Sequence, residues 1–119
     1  MSDVTAKFFS NKVIPVVVID DAKHAVPIAN ILLEGGISAI EITLRTPQAL
    51  AAIEAIAKNV PDMLLTAGTA LNKKHLQQVK DVGATLVVSP GISVELLEGA
   101  KDLGLVLLPG IATASELML

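Results

Sequence analysis

Residues 39–46 combine an acid and a base within one apolar segment. Successive side chains of a β-strand point to opposite faces. The segment therefore puts apolar side chains on one face and polar ones on the other: Ile40, Ile42 and Leu44 against Glu41, Thr43 and Arg45. An ionised carboxylate that faces a packed interior is costly unless a partner or a polar cavity receives it. An edge strand whose polar face meets water would also explain the pattern, but apolar segments on both sides favour a central strand and a functional Glu41.

The composition is that of an apolar α/β protein. Hydrophobic residues make up 52% of the 119 positions, and the mean hydropathy is +0.65. The longest apolar runs are Val13–Ile19 and Leu103–Leu108, both far shorter than the ~20 residues of a membrane span. Buried parallel strands have such runs because helices cover the sheet. We therefore expect a single domain over residues 1–119 and no membrane segment.

Charge and cysteine content exclude several classes of function. The net charge of −3, without a basic stripe interleaved with aromatics, gives no indication of nucleic-acid binding. The chain has no cysteine, which excludes disulfides, thiol catalysis and cysteine-based metal sites. Residues 1–7 lack the layout of a signal peptide. We expect a cytoplasmic protein that binds neither nucleic acid nor membrane.

Strand-like runs recur at intervals of roughly 20–25 residues, the length of one βα unit. They begin near Val13, Ser38, Met63, Leu86 and Leu105. The helices between them have N-cap signals at Thr46 (followed by Pro47 at the first helical position), Asn72 and Ser93. Pro27 should delay or bend the helix that follows the first strand, and residues 3–11 are a candidate extra helix. This alternation predicts a parallel sheet with right-handed crossovers.

An open doubly wound sheet and a (β/α)8 barrel are both compatible with that alternation. No G-x-G-x-x-G or G-x-x-x-x-G-K-[ST] motif follows a strand, which disfavours a nucleotide-binding open sheet. Polar or turn-forming residues end each strand after the first: Arg45 and Thr46, Gly68 and Thr69, residues 89–91, and Pro109 and Gly110. Barrel active sites are built at that rim. We therefore favour the α/β class and the (β/α)8 TIM-barrel family, with about the first five βα units in this chain.

The last residues predict that the chain is the N-terminal part of a longer protein. Thr113 and Glu116 match a capping box, which opens a helix, and three apolar residues follow. A helix of that length is not stable alone in water. Five strands also cannot close an eight-stranded barrel.

Six short segments together carry a resemblance to a known family. They are VIPVVV (13–18), HAVPIA (24–29), EITLRT (41–46), AGTALN (67–72), VSPG (88–91) and LPGI (108–111). In this register, which runs along nearly the whole chain, they resemble the 2-keto-3-deoxy-6-phosphogluconate / 2-keto-4-hydroxyglutarate aldolases. The resemblance implies a homotrimeric (β/α)8 barrel that needs no cofactor. It also implies cleavage of a 2-keto-4-hydroxy acid to pyruvate and an aldehyde, through a Schiff base between a strand-six lysine and the ketone.

The same resemblance assigns roles to four residues. Glu41 matches the general acid/base, a role that needs a carboxyl able both to accept and to donate a proton. Arg45 matches the residue that binds the pyruvate carboxylate, for which a planar guanidinium is suited. Thr69 matches its hydroxyl partner, and Pro90 matches a proline that walls the pocket. Turn chemistry alone would also account for Thr69 and Pro90.

The family's Schiff-base lysine lies on the strand that would follow residue 119. The lysines of this chain fall on predicted helices or loops: Lys7, Lys12, Lys23, Lys58, Lys73, Lys74, Lys80 and Lys101. A Schiff-base lysine must lose its proton near neutral pH, which requires burial or a cationic neighbour. Lys73 and Lys74 are cationic neighbours of each other, but they lie at the start of a helix that we expect to be solvated. We therefore expect the 119-residue chain alone to be inactive as an aldolase and to self-associate or pair with a missing half.

Three hypotheses of different classes remain open. The chain is the N-terminal part of a class I aldolase, a carboxylate-binding half-barrel that keeps Arg45 and Thr69 without covalent chemistry, or a metal-dependent pyruvate-type lyase with Glu41 as a ligand. No second acid at a strand end supports the metal site. Asp20 comes after the first strand, and the other strand ends are apolar or hydroxyl-bearing. His24 and His75 show no metal-ligand spacing. We expect neither a metal ion nor a cofactor.

Overall fold

Strands and helices alternate along the chain in a computed structural model that describes residues 3–119. The helices are α1 (Asp3–Ser10), α2 (Ala25–Glu34), α3 (Ala49–Asn59), α4 (Lys73–Asp81), α5 (Val94–Leu103) and α6 (Ala114–Leu117), with a 3-10 turn at Ala22–His24. The strands are β1 (Val16–Val17), β2 (Ala39–Thr43), β3 (Leu64–Gly68), β4 (Leu86–Ser89) and β5 (Val106–Pro109). Within residues 3–119 no helix is both long and apolar enough to cross a bilayer.

All the strand pairs are parallel, and the sheet order is β1-β2-β3-β4-β5. A doubly wound sheet would reverse its order at a switch point, whereas a barrel adds each strand to the same side of the one before. The sequential order therefore confirms the barrel-type prediction. β2 lies between β1 and β3, so the prediction of a central strand around Glu41 is also confirmed.

The helix-facing side of the sheet forms the core. Ile40 and Ile42 of β2 are fully buried there, as are Ile53 and Ile56 of α3 and Leu76 of α4. Burying one such side chain stabilises the fold by about 1.5–3 kcal/mol. Because each βα unit lays an apolar helix stripe over an apolar strand face, the core fixes the other face of β2 as the one that carries Glu41.

That other face, which would line the inside of a barrel, is only partly covered. Val16 and Val18 are 60% and 50% exposed. Val106 and Leu108 of β5 lie on the same face, because the register pairs Val106 with Leu86 and Leu86 with Thr66. Both are partly exposed. An apolar surface of this kind normally contacts another part of a structure.

Three predicted N-caps are confirmed. Asn72 accepts a hydrogen bond from the His75 amide at 2.9 Å, and Ser93 accepts one from the Leu96 amide at 3.2 Å. The Thr113 capping box is complete, and its Glu116 carboxylate accepts from the Ala112 and Thr113 amides.

The prediction that Thr46 caps α3, with Pro47 as the first helical residue, is wrong. The helix begins at Ala49 and Gln48 holds the N-cap position. The Thr46 hydroxyl instead donates to the Ile19 carbonyl at 2.5 Å, so it links the end of β2 to the segment that follows β1.

Two strand boundaries also differ from the sequence analysis. The first strand is paired only at Val16–Val17, although the apolar run extends over residues 13–19. β2 ends at Thr43, so Arg45 follows the strand and lies in the turn beyond it.

Candidate active site

Glu41 lies in the middle of β2, half-buried on the inner face of the sheet. Its side chain extends across to β3 and lies against Gly68. A Cβ atom added at Gly68 would stand 2.8 Å from Glu41 Cδ and 3.0 Å from its Cγ, so a larger residue here would force the carboxyl out of this position. Burial raises the pKa of Glu41 above its ordinary value, and the positive charge of Arg45 partly opposes that rise. The site therefore holds a carboxyl with an increased tendency to carry a proton.

Two buried threonines lie beside Glu41 in the strand register. Thr66 of β3 is paired directly with Glu41, and Thr43 of β2 is paired with Gly68. Both residues are fully buried, and neither hydroxyl has a hydrogen-bond partner among residues 3–119. The alternation of residues 39–46 puts Thr43 on the face of Glu41 without a role, and Thr66 was not predicted as a site residue. A polar residue inside the apolar strand Leu64–Gly68 was the available signal.

Arg45 is exposed at the carboxyl end of β2. Among residues 3–119, the ion pairs within 4.0 Å join Lys23 to Asp21, Lys58 to Glu54 and Lys73 to Asp102. The Arg45 guanidinium is in none of them and donates no hydrogen bond within that part of the chain. Its five donors remain available to an anionic ligand, and a carboxylate matches their planar geometry.

Thr69 follows β3 in a strained conformation. Its φ is 64°, and no other non-glycine residue of the described chain has a positive φ. A β-branched residue in the left-handed region is an outlier that costs of order 1–3 kcal/mol, and such strain occurs often at functional sites. Neighbouring strands hold the residues on either side, because Gly68 accepts from the Leu44 amide at 2.9 Å and Ala70 donates to Val88 at 3.3 Å.

Pro90 is exposed in the turn after β4. Its carbonyl packs against Gly110, where an added Cβ would stand 2.9 Å from the Pro90 carbonyl carbon. The Gly110 amide also donates to the Ser89 carbonyl at 2.8 Å. Pro90 lines a cavity of about 280 Å³ whose other walls include Ala70 and Leu71, directly after Thr69. Close approach of the β5 turn thus fixes the position of Pro90.

The register brings the four predicted residues to one end of the sheet. Thr43 is paired with Gly68, so Arg45 and Thr69 lie one or two residues beyond paired positions on adjacent strands. Pro90 follows the next strand along. Within residues 3–119 the four side chains are not joined by hydrogen bonds or ion pairs, and Glu41 and Arg45 interact through their charges. A joint role for Glu41, Arg45, Thr69 and Pro90 stays a prediction.

The described residues offer neither an internal lysine nor a metal site. All eight lysines are exposed and lie on helices or in loops. Residues 3–119 contain no group of three or more histidine, aspartate or glutamate side chains that could hold a metal ion. His75 accepts a hydrogen bond from the Leu71 amide through Nδ1 at 3.2 Å.

Comparison with known proteins identifies the family. The model of the KDPG and KHG aldolase family matches residues 4–119. The chain is 49% identical over 111 residues to the 2-dehydro-3-deoxy-phosphogluconate aldolase of Pseudoalteromonas atlantica, covering 93% of this chain and 52% of that protein. It is 48% identical over 107 residues to the KHG/KDPG aldolase of Escherichia coli, covering 90% of this chain and 50% of that one. The chain therefore spans about half the length of these relatives.

A solved structure leads to the same family. The KDPG aldolase of Legionella pneumophila, crystallised with pyruvate captured as a covalent carbinolamine intermediate, superposes with a TM-score of 0.91 at 40% identity. The match covers 98% of this chain and 57% of that one. With its parallel β1-β5 sheet and the family model matched over residues 4–119, the chain belongs to the KDPG and KHG aldolase family.

Proposed function

We propose that the protein to which these residues belong is a class I aldolase that cleaves 2-keto-4-hydroxy acids to pyruvate and an aldehyde. The observation that carries the proposal is the Glu41 carboxyl. It is half-buried, has a raised pKa, and is given its space by Gly68 within reach of the charge of Arg45. The relatives of this chain are named 2-dehydro-3-deoxy-phosphogluconate aldolase and KHG/KDPG aldolase. These names support 2-keto-3-deoxy-6-phosphogluconate and 2-keto-4-hydroxyglutarate as the substrates.

The proposed mechanism gives Glu41 the proton transfers. A lysine amine outside these 119 residues attacks the ketone, and the carbinolamine loses water to form the Schiff base. Glu41 donates the proton that leaves with that water. The resulting carboxylate takes the proton of the C4 hydroxyl as the C3–C4 bond breaks. The electron pair of that bond passes to the Schiff base as an enamine, and the aldehyde departs. Such transfers need a carboxyl whose pKa is close to the working pH, which agrees with the raised pKa of Glu41.

Arg45 and Thr69 are proposed to bind the pyruvate end of the substrate. The unpaired guanidinium would hold the carboxylate through two parallel hydrogen bonds. The strained backbone at Thr69 would present its hydroxyl to the same carboxylate. Pro90 would bound the pocket on the β4 side.

Assembly and compartment belong to the same proposal. We propose a cytoplasmic homotrimer of closed barrels, acting in carbohydrate breakdown, for the whole protein. The exposed apolar side chains of Val16 and Val18 support closure, because they face the space that further strands would fill.

Variants of the whole protein test the roles. Glu41→Gln should keep pyruvate binding and lower turnover by about 10²–10⁴-fold, the usual contribution of general acid/base catalysis. Arg45→Ala should instead weaken the apparent affinity for pyruvate. If Arg45→Ala left that affinity unchanged, the assigned roles would be wrong.

A second candidate function, carboxylate binding without covalent chemistry, is favoured for the 119-residue chain by its exposed lysines. Calorimetric titration with pyruvate, together with borohydride trapping, separates the candidates. Binding without a trapped adduct supports the half-site, a trapped adduct supports a lysine within this chain, and stimulation by an added divalent metal would favour the metal-dependent lyase.

A further inference from the structure

Two hydroxyls next to Glu41 are buried without hydrogen-bond partners in the part of the chain that the structure describes. Thr66 lies directly across from Glu41 on β3, and Thr43 lies beside Gly68, over which the Glu41 carboxyl extends. Both threonines are 0% exposed. A buried hydroxyl without a partner costs free energy, and few such groups occur in native proteins. Two of them around one carboxyl require a physical explanation.

The strand pairing places both threonines next to Glu41 on the inner face of the sheet. Adjacent strands are about 4.8 Å apart, and a threonine hydroxyl turns freely to donate its one hydrogen. A neutral carboxyl donates one hydrogen bond and accepts with its remaining lone pairs, whereas a carboxylate only accepts, at about four lone-pair sites. The number of donors that Glu41 can use therefore increases when it ionises.

We propose that Thr43 and Thr66 are positioning residues that donate hydrogen bonds to the Glu41 carboxylate when it becomes charged. The two hydroxyls thereby hold the carboxylate in place during proton transfer and favour its ionised form. The consequence for turnover rests on the proposed function, whereas the hydrogen bonding itself does not.

No other titratable group on the facing strands could imitate this effect. β1 faces Glu41 with Val16, and β3 faces it with Thr66 and Gly68. Arg45, on the same strand as Glu41, is the charged group that acts on the Glu41 pKa. A change in Glu41 titration on loss of either hydroxyl would therefore come from that hydroxyl.

The test is a pH titration of the Glu41 carboxyl carbon by NMR in the 119-residue chain, at a concentration where light scattering shows the same assembly state at every pH. Thr43→Val and Thr66→Val should each move its midpoint to higher pH, because the carboxylate loses a donor. Thr43→Ser and Thr66→Ser should keep the wild-type midpoint. Thr85→Val, the same substitution at an exposed position, is the matched control and should change nothing. The corresponding alanine variants remove each hydroxyl without adding bulk and are titrated in parallel, so the test does not depend on the valine variants folding.

Stability separates this role from a structural one. At a pH low enough to keep Glu41 neutral, the valine variants should be at least as stable to urea as the wild type, because an unpaired buried hydroxyl has been removed. Folded valine and alanine variants with an unshifted Glu41 midpoint would overturn the proposal. If the midpoint shifts but Glu41→Gln leaves the turnover of the whole protein unchanged, the proposed function fails and the hydrogen bonding stands.

Discussion

At the scale of single residues, the site depends on what is missing as much as on what is present. Glu41 can extend across β3 because Gly68 has no side chain. Arg45 can receive a ligand because no acid among residues 3–119 pairs with it within 4.0 Å. The sequence placed Glu41 and Arg45 on one face through the alternation of one strand, and it assigned their roles through the family resemblance. It could not predict the role of Gly68, because the contact between Gly68 and Glu41 joins two different strands.

Gly68→Ala should displace the Glu41 carboxyl. The added Cβ would stand 2.8 Å from Glu41 Cδ, closer than such atoms approach in folded proteins. We expect turnover of the whole protein to fall while its secondary structure, measured by circular dichroism, is unchanged. Gly35→Ala is the matched control, because Gly35 lies at the end of α2 with a φ of −80° and a Cβ there meets its nearest atom at an ordinary 3.5 Å. Full activity of Gly68→Ala would show that the position of Glu41 is not critical.

Glu41 should also make stability depend on pH. Its pKa is raised in the folded protein, so the folded state holds this proton more tightly than the unfolded state. Stability should therefore fall as pH rises from the ordinary glutamate value of 4.5 through the raised pKa. Glu41→Gln removes the free-energy cost of burying an ionised carboxylate. The variant should therefore be more stable than the wild type at pH 7 but not below pH 4. Urea unfolding at a series of pH values measures the difference. Parallel curves for the two proteins would contradict a raised pKa.

At the scale of elements, pattern and capping chemistry were sufficient for most of the fold. The sequential strand order agrees with the barrel-type prediction made from the βα alternation, and the caps at Asn72, Ser93 and Thr113 follow from local sequence. Thr46 was misassigned because its hydroxyl donates to a carbonyl 27 residues earlier, a long-range contact that no local pattern contains. The left-handed φ of Thr69 was not predicted for a similar reason, because adjacent strands hold the residues on both sides of it through hydrogen bonds.

Thr46→Val tests that correction. The substitution removes the hydrogen bond to Ile19, so β1 should pair less firmly with β2. We expect faster hydrogen exchange at the Glu41 amide, which donates to Pro15 at 2.9 Å. Exchange at the Ala52 amide inside α3 should be unchanged. Faster exchange throughout α3 would instead show that Thr46 caps this helix.

At the scale of the whole molecule, five parallel strands leave two edges without partners among residues 3–119. Unpaired edges of β1 and β5 are templates for association. The exposed valines of the inner face, Val16 and Val18, add apolar surface to the β1 edge. Both features favour contact with a second surface.

The 119-residue chain alone should therefore self-associate and show no aldolase activity. Association follows from the open edges. Inactivity follows because all eight lysines are exposed and lie on helices or in loops, so none stands on a strand of the inner face beside Glu41. Light scattering on the purified chain and a coupled assay for pyruvate release measure the two outcomes. A stable monomer that releases pyruvate would show that the position of the nucleophile has been misread.

The central claim is that these residues supply the acid/base and carboxylate-binding half of a pyruvate-forming active site. The most direct test fuses residues 1–119 to the remaining half of the Escherichia coli KHG/KDPG aldolase, of which this chain covers 50%. The chimera should form a borohydride-trapped adduct with pyruvate and release pyruvate from 2-keto-3-deoxy-6-phosphogluconate. With Glu41→Gln it should still bind pyruvate, but its turnover should fall by about 10²–10⁴-fold. A folded, trappable chimera whose turnover is unaffected by Glu41→Gln would contradict the claim.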